Sequence, residues 1–104
     1  MERHPIEDLI RASVAAVMNI TGENYTDIGR AVDLADTLVS RRQRGLTSWR
    51  VSDLGRLADH WGIPPCSLIS GPSDALAELD PARVAELRQA KGLPITSTAM
   101  AAAA

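Results

Sequence analysis

Four arginines, Arg41, Arg42, Arg44 and Arg50, lie between Thr37 and Ser52, and no acid interrupts them. A guanidinium carries five N–H donors in a rigid fork, so this residue type at this density suits phosphate or carboxylate. The rest of the chain has the opposite balance. Met1 to Asp36 holds seven acids and three bases, and Asp53 to Ala104 holds six and four. A chain of net charge −2 thus concentrates a local +4 in one segment. Net charge governs solubility and non-specific association, while a local patch of opposite sign can still hold an anion.

Other chemistries lack their parts. No glycine-rich phosphate loop, nucleophile motif or metal-ligand spacing occurs, so no catalytic residue, metal or cofactor is expected and the chain does not read as an enzyme. His4 and His60 stand far apart in sequence with no acids to complete a ligand set. The single cysteine, Cys66, excludes an internal disulfide and a cysteine-rich zinc site. It is expected to be a small, partly buried apolar residue. No apolar run approaches the roughly 18 residues that span a bilayer. MERHPIEDL lacks the apolar stretch of a signal peptide. A cytoplasmic protein with no membrane partner is expected.

The elements that must position the arginines are helical. At 104 residues there is room for one small domain with a short extension. Aromatic residues are only 3%, and the apolar ones are mostly Ala, Leu, Ile and Val, which suits a small helical bundle. A first helix is predicted from Ile6 to Ile20, with Ile6, Leu9, Ile10, Val14, Val17 and Met18 as its apolar stripe and Gly22 beyond its end. A second starts at the N-cap Asn24, with Asp27 completing a short-chain capping box and Ile28, Ala31 and Val32 inward. Gly29 inside it costs roughly 1 kcal/mol against Ala, which a close approach of another helix can offset.

A turn is predicted at Asp33-Leu34-Ala35, then a third helix from Asp36 to Arg44 that Gly45 stops. Leu34, Leu38 and Val39 fall on its inner side, and Thr37, Ser40, Arg41 and Arg44 on its outer side. Arg42 points partly inward, so its stem should pack and its head emerge. A fourth helix ends at Trp61 with Val51, Leu54, Leu57, Ala58 and Trp61 on one face. A short fifth covers Cys66 to Ile69. Beyond the break at Ser70-Gly71-Pro72 come two more helical pieces, one capped by Ser73 and running to Leu79, the other starting at Asp80-Pro81 and ending near Lys91.

Asn24 to Gly45, NYTDIGRAVDLADTLVSRRQRG, thus reads as two short helices joined by a tight turn. From Leu9 to Ile69 the chain resembles the Cro and phage-repressor type of helix-turn-helix domain. DLADTLVSRRQRG matches the family's turn and recognition helix, Ile28-Gly29 falls where Leu-Ala is usual, and LADHWGI looks like the fourth helix and its turn. Asp33 departs from the usual Gly, Arg42 from the usual apolar residue, and the Gly45–Val51 loop from the usual pattern. The resemblance implies an all-α fold with a five-helix repressor-like domain over 1–72; beyond it the residues read as a C-terminal helical extension over 73–92 and a disordered tail over 93–104.

It also implies a sequence-specific repressor whose third helix lies in the major groove of operator DNA, as in a phage immunity repressor or Cro-type switch protein. Base contacts are expected from Asp36, Thr37, Ser40 and Arg41. Arg41 suits a bidentate grip on guanine and Thr37 a thymine methyl. Asp36 can accept from cytosine N4 or simply favour the helix dipole. Backbone contacts are expected from Tyr25, Arg42, Arg44, Thr47, Ser48 and Arg50. Tyr25 is equally suited to packing on the first helix, and Trp49 to packing under the recognition helix.

Such domains usually act as two-fold dimers on palindromic sites. Leu76, Leu79, Val84 and Leu87 are the candidate dimerisation residues, although the same segment can cap the monomer's own core. The tail ending in Ala103 and Ala104 reads as a frayed terminus or as a degradation signal for a bacterial ATP-dependent protease. Two other functions fit the same residues: the antitoxin of a toxin–antitoxin pair, and a helix-turn-helix that engages only protein. The acidic remainder and Asp36 suit the last.

Overall fold

The computed structural model describes residues 5–94. His4 and the alanine-ending tail with Ala103 and Ala104 lie outside them. Among the described residues there are seven helices and no strand: α1 (Pro5–Thr21), α2 (Tyr25–Val32), α3 (Asp36–Gln43), α4 (Val51–Trp61), α5 (Pro65–Ser70), α6 (Pro72–Glu78) and α7 (Pro81–Ala90). The all-α class follows. The helix count is seven because the C-terminal segment folds as two helices that join the core.

Local chemistry sets the boundaries. Asn24 and Asp27 form the reciprocal capping box, with Asp27 N–H donating to Asn24 Oδ1 and Asn24 N–H to Asp27 Oδ2, each at 2.9 Å. Asp80 caps α7 through the Ala82 amide at 2.9 Å, with Pro81 as the first helical residue. Ser73 caps nothing: α6 already begins at Pro72, with Gly71 in the capping position.

The α2–α3 turn is the tightest junction. Asp33 takes the left-handed conformation at φ 59°, and the Leu34 amide donates to Gly29 O at 2.8 Å. A Cβ on Gly29 would sit 2.3 Å from the Leu34 carbonyl oxygen. Gly29 is therefore required by the returning backbone of the turn itself, and its low helix propensity is the cost of that approach.

One apolar core runs through the molecule. Trp61, Ile28, Leu57, Leu68, Val14 and Val17 are fully buried at its centre. α1 packs against α3, α5, α6 and α7, while α2 packs on α3 and α4. Some predicted faces are shifted. Leu38 is 40% exposed and Val51 is 87% exposed, because the inward positions of α3 and of the first turn of α4 belong to Val39, Arg42 and Asp53. Ile6 and Leu9 lie at the exposed fringe of the α1 stripe, and Cys66 is exposed on α5.

The dimerisation assignment also needs correction. Leu79, Val84 and Leu87 are buried in the protomer with Ala75, and Leu76 packs against the same cluster. These side chains close the core over α1. Of the two roles open to this segment, capping the monomer is the one its packing fulfils.

Candidate nucleic-acid interface

α3 owes its position to buried polar groups at its C-terminal end. Arg42, at an inward position, has only 8% of its side chain exposed, and its Nε donates to Asp53 Oδ2 at 3.1 Å. The same oxygen accepts the Arg50 amide at 3.3 Å, which caps α4 and ties down the loop before it. Trp49 is buried beside them, its ring centroid 6.0 Å from the Arg42 guanidinium carbon. Its Nε1 donates to Gln43 Oε1 at 2.8 Å, and Gln43 Nε2 donates to the Arg11 carbonyl of α1 at 3.1 Å. The end of α3, the loop and α4 thus share one satisfied network.

Arg42, expected at the surface as a backbone contact, is instead buried against Asp53. Its head stays inside, because an arginine at that helical position is covered by Trp49 and neutralised by Asp53. Trp49 packs beneath α3, as expected. Ser48 is exposed, but its hydroxyl donates to the Glu7 carboxylate of α1, which sets an acid where a phosphate contact was expected.

The other predicted residues stand on the outer surface. Asp36, Thr37 and Arg41 are exposed along α3, and Ser40 is half-buried. Arg44 follows the helix, Thr47 lies in the loop, and Arg50 precedes α4, all exposed. Tyr25, the first residue of α2, is 37% exposed. Asp36 is also the first residue of α3, where a carboxylate meets the positive end of the helix dipole.

A contrast among the cations defines this surface. Arg11, Arg30, Arg42, Arg83 and Lys91 pair with acids of the same chain. Arg56 and Arg88 donate to backbone carbonyls. The guanidinium groups of Arg41, Arg44 and Arg50 pair with no acid among the described residues. Three guanidinium groups without an acid partner among the described residues are therefore exposed on α3, at its C-cap and at the start of α4.

A second polar cluster joins the segment before α2 to the ends of α1 and α4. Glu23 is buried between α1 and α2, accepting from Thr21 Oγ1 and from Trp61 Nε1, each at 2.8 Å. His60 Nε2 lies 2.6 Å from its other oxygen. Burial pushes the Glu23 carboxyl up, but the bonds from His60, Trp61 and Thr21 and the His60 charge outweigh that and hold its pKa below the usual value. Asp27 behaves alike: desolvation raises it, while Lys91, the Asn24 amide and Arg30 lower it further.

Sequence reasoning missed Asp53, Gln43 and Glu23. One signal for Asp53 was present, since an arginine on a buried helix position requires a carboxylate nearby. Among the described residues no group of three or more His, Cys, Asp or Glu can hold a metal ion, and no helix is long and apolar enough to cross a membrane. Comparison with protein-family models, with curated proteins and with solved structures finds no match.

Proposed function

We propose that the chain is a sequence-specific DNA-binding repressor that enters the major groove with the exposed face of α3. The observation that carries this reading is the set of three arginines, Arg41, Arg44 and Arg50, whose guanidinium groups pair with no acid among the described residues while the other described cations are bonded. Arg41 lies on the helix face and reads base edges together with Thr37. Arg44 and Arg50 flank that face and grip phosphates. The buried Arg42–Asp53 pair keeps the helix fixed relative to both anchors.

Repression follows from occupancy of an operator that overlaps a promoter, the mode of a phage immunity repressor or Cro-type switch protein. Two copies would bind a palindromic site, through a surface other than the buried leucines of α6 and α7. Selection of bound sites from random duplex DNA tests the proposal, with wild type and Arg41→Ala in parallel. An enriched motif that relaxes at one position in the variant supports it. No enrichment at low salt rejects it and points to a protein partner for α3.

A further inference from the structure

A cleft of about 370 Å³ is lined by Asp27, Arg30 and Ala31 of α2, His60 of α4, Leu87 and Ala90 of α7, and the flanking Glu23 and Lys91. That volume lies within the range of small-molecule sites, roughly 300–1,000 Å³. Its walls combine an apolar strip with charged groups. Ala31 of α2 and Leu87 and Ala90 of α7 supply the strip, and the two alanines leave the space that larger side chains would fill. Arg30, His60 and Lys91 bring potential positive charge to its lining, and Glu23 and Asp27 bring negative charge.

The two carboxylates are already engaged. Glu23 bonds to His60, Trp61 and Thr21. Asp27 accepts from Lys91 and from the Asn24 amide. Arg30 differs: its side chain is 78% exposed and touches Asp27 only at 3.7 Å. A guanidinium with five donors and one long contact retains most of its capacity for a planar anion. Charge and shape therefore favour a ligand with one anionic end at Arg30 and an apolar body along Ala31, Leu87 and Ala90.

We propose that this cleft binds a small organic monoanion with an apolar body, such as a carboxylate on a short hydrocarbon frame. The ligand would bridge α7 to α2, the helix that leads through the tight turn into α3. Its regulatory consequence, a change in operator affinity, rests on the DNA-binding reading above; the binding itself does not.

The test uses the whole chain without DNA. Octanoate is titrated while backbone and methyl resonances are followed, with octanamide as the neutral counterpart. Saturable shifts centred on Ala31, Leu87 and Ala90 are expected with octanoate. Arg30→Gln, a change on an exposed side chain, should weaken octanoate about tenfold or more, by loss of a charge-assisted contact, and leave octanamide unchanged. Ala90→Leu, on an exposed face of α7, should fill the cleft and abolish the shifts. Absence of saturable shifts at these residues, or equal octanoate affinity in wild type and Arg30→Gln, overturns the proposal. Neither result depends on whether the chain binds DNA, so failure here and failure of selection on random duplexes are separate outcomes.

Discussion

Arg42 and Asp53 form an ion pair at 3.1 Å with 8% and 4% of their side chains exposed, and it joins the end of α3 to the start of α4. A buried pair is not in itself strong evidence of stability, because desolvating two charges offsets most of their attraction. Breaking it is another matter. Asp53→Ala should destabilise the fold by about 3 kcal/mol or more, since Arg42 is then left charged and uncompensated among apolar groups. Arg42→Met combined with Asp53→Leu should recover much of that loss. Urea unfolding of the single and double variants measures both, and a double variant no better than Asp53→Ala alone would show that packing, not charge, dominates the site.

The α2–α3 turn predicts two substitutions of opposite sign to helix propensity and to side-chain loss. Gly29→Ala would stabilise an ordinary helix by about 1 kcal/mol. Here the new methyl meets the Leu34 carbonyl oxygen at 2.3 Å, a backbone atom held by the turn. The expected outcome is net destabilisation of about 1–2 kcal/mol, as in an overpacked site. Asp33→Gly should stabilise by about 0.5–1 kcal/mol, because the residue at φ 59° then carries no Cβ. Thermal unfolding of the two variants decides the signs.

Glu23 makes stability depend on acid. Its folded pKa lies below the unfolded value of 4.5, so its contribution is fully present above that value and is lost as pH falls through the folded pKa. Asp27 has the same sign, with an unfolded value of 3.8. Glu23→Gln should cost about 1–3 kcal/mol at neutral pH, because His60 and Trp61 lose a charged acceptor. The gap between wild type and variant should narrow as pH drops below 4.5, where the unfolded carboxyl takes up its proton first, and should close as pH falls through the lowered folded pKa. Unfolding free energies at several pH values test this, and a gap independent of pH would remove Glu23 as the cause.

Leu87→Ala separates a core residue from an interface residue. Buried at the end of α7, it should lower stability by about 2–3 kcal/mol, the usual effect of a cavity. The loss should be the same at all protein concentrations. A dimer contact would instead give a midpoint that shifts with concentration, for wild type more than for the variant.

Helix positions were legible in the sequence where local chemistry fixes them. Asn24 with Asp27, Asp80 with Pro81, and Gly45 after the arginines mark boundaries that depend on a few neighbouring residues. The outward placement of Thr37 and Arg41 followed from the same periodicity. What periodicity could not reveal is partnership across the fold. Leu79, Val84 and Leu87 form an apolar face whichever surface covers it, and only the crossing of α7 over α1 decides that it is their own core. Arg42 looks like another member of a basic cluster until Asp53, eleven residues later, is brought against it. Val51 illustrates the reverse: an apolar residue at the first position of α4 has no neighbour to cover it.

The arginines at the α3 edge should divide by role. Arg41 stands on the helix face, so Arg41→Ala should relax selectivity at one base position, a discrimination of about 1–3 kcal/mol, with other positions unchanged. Arg44 and Arg50 lie beyond the helix and beside the loop, where on the proposed reading they would meet the sugar-phosphate edge. Arg44→Ala and Arg50→Ala should weaken all sequences alike and reduce the slope of log affinity against log salt by close to one unit each, because one fewer counterion is released. Arg42→Met should leave the salt slope unchanged while lowering stability, since the guanidinium it removes lies against Asp53 inside the fold. Affinity measured across a salt series for selected and random duplexes separates the three roles. If Arg42→Met reduced the slope as Arg44→Ala does, the guanidinium would have to leave Asp53 on DNA, and the buried pair would then be a latch that opens on binding.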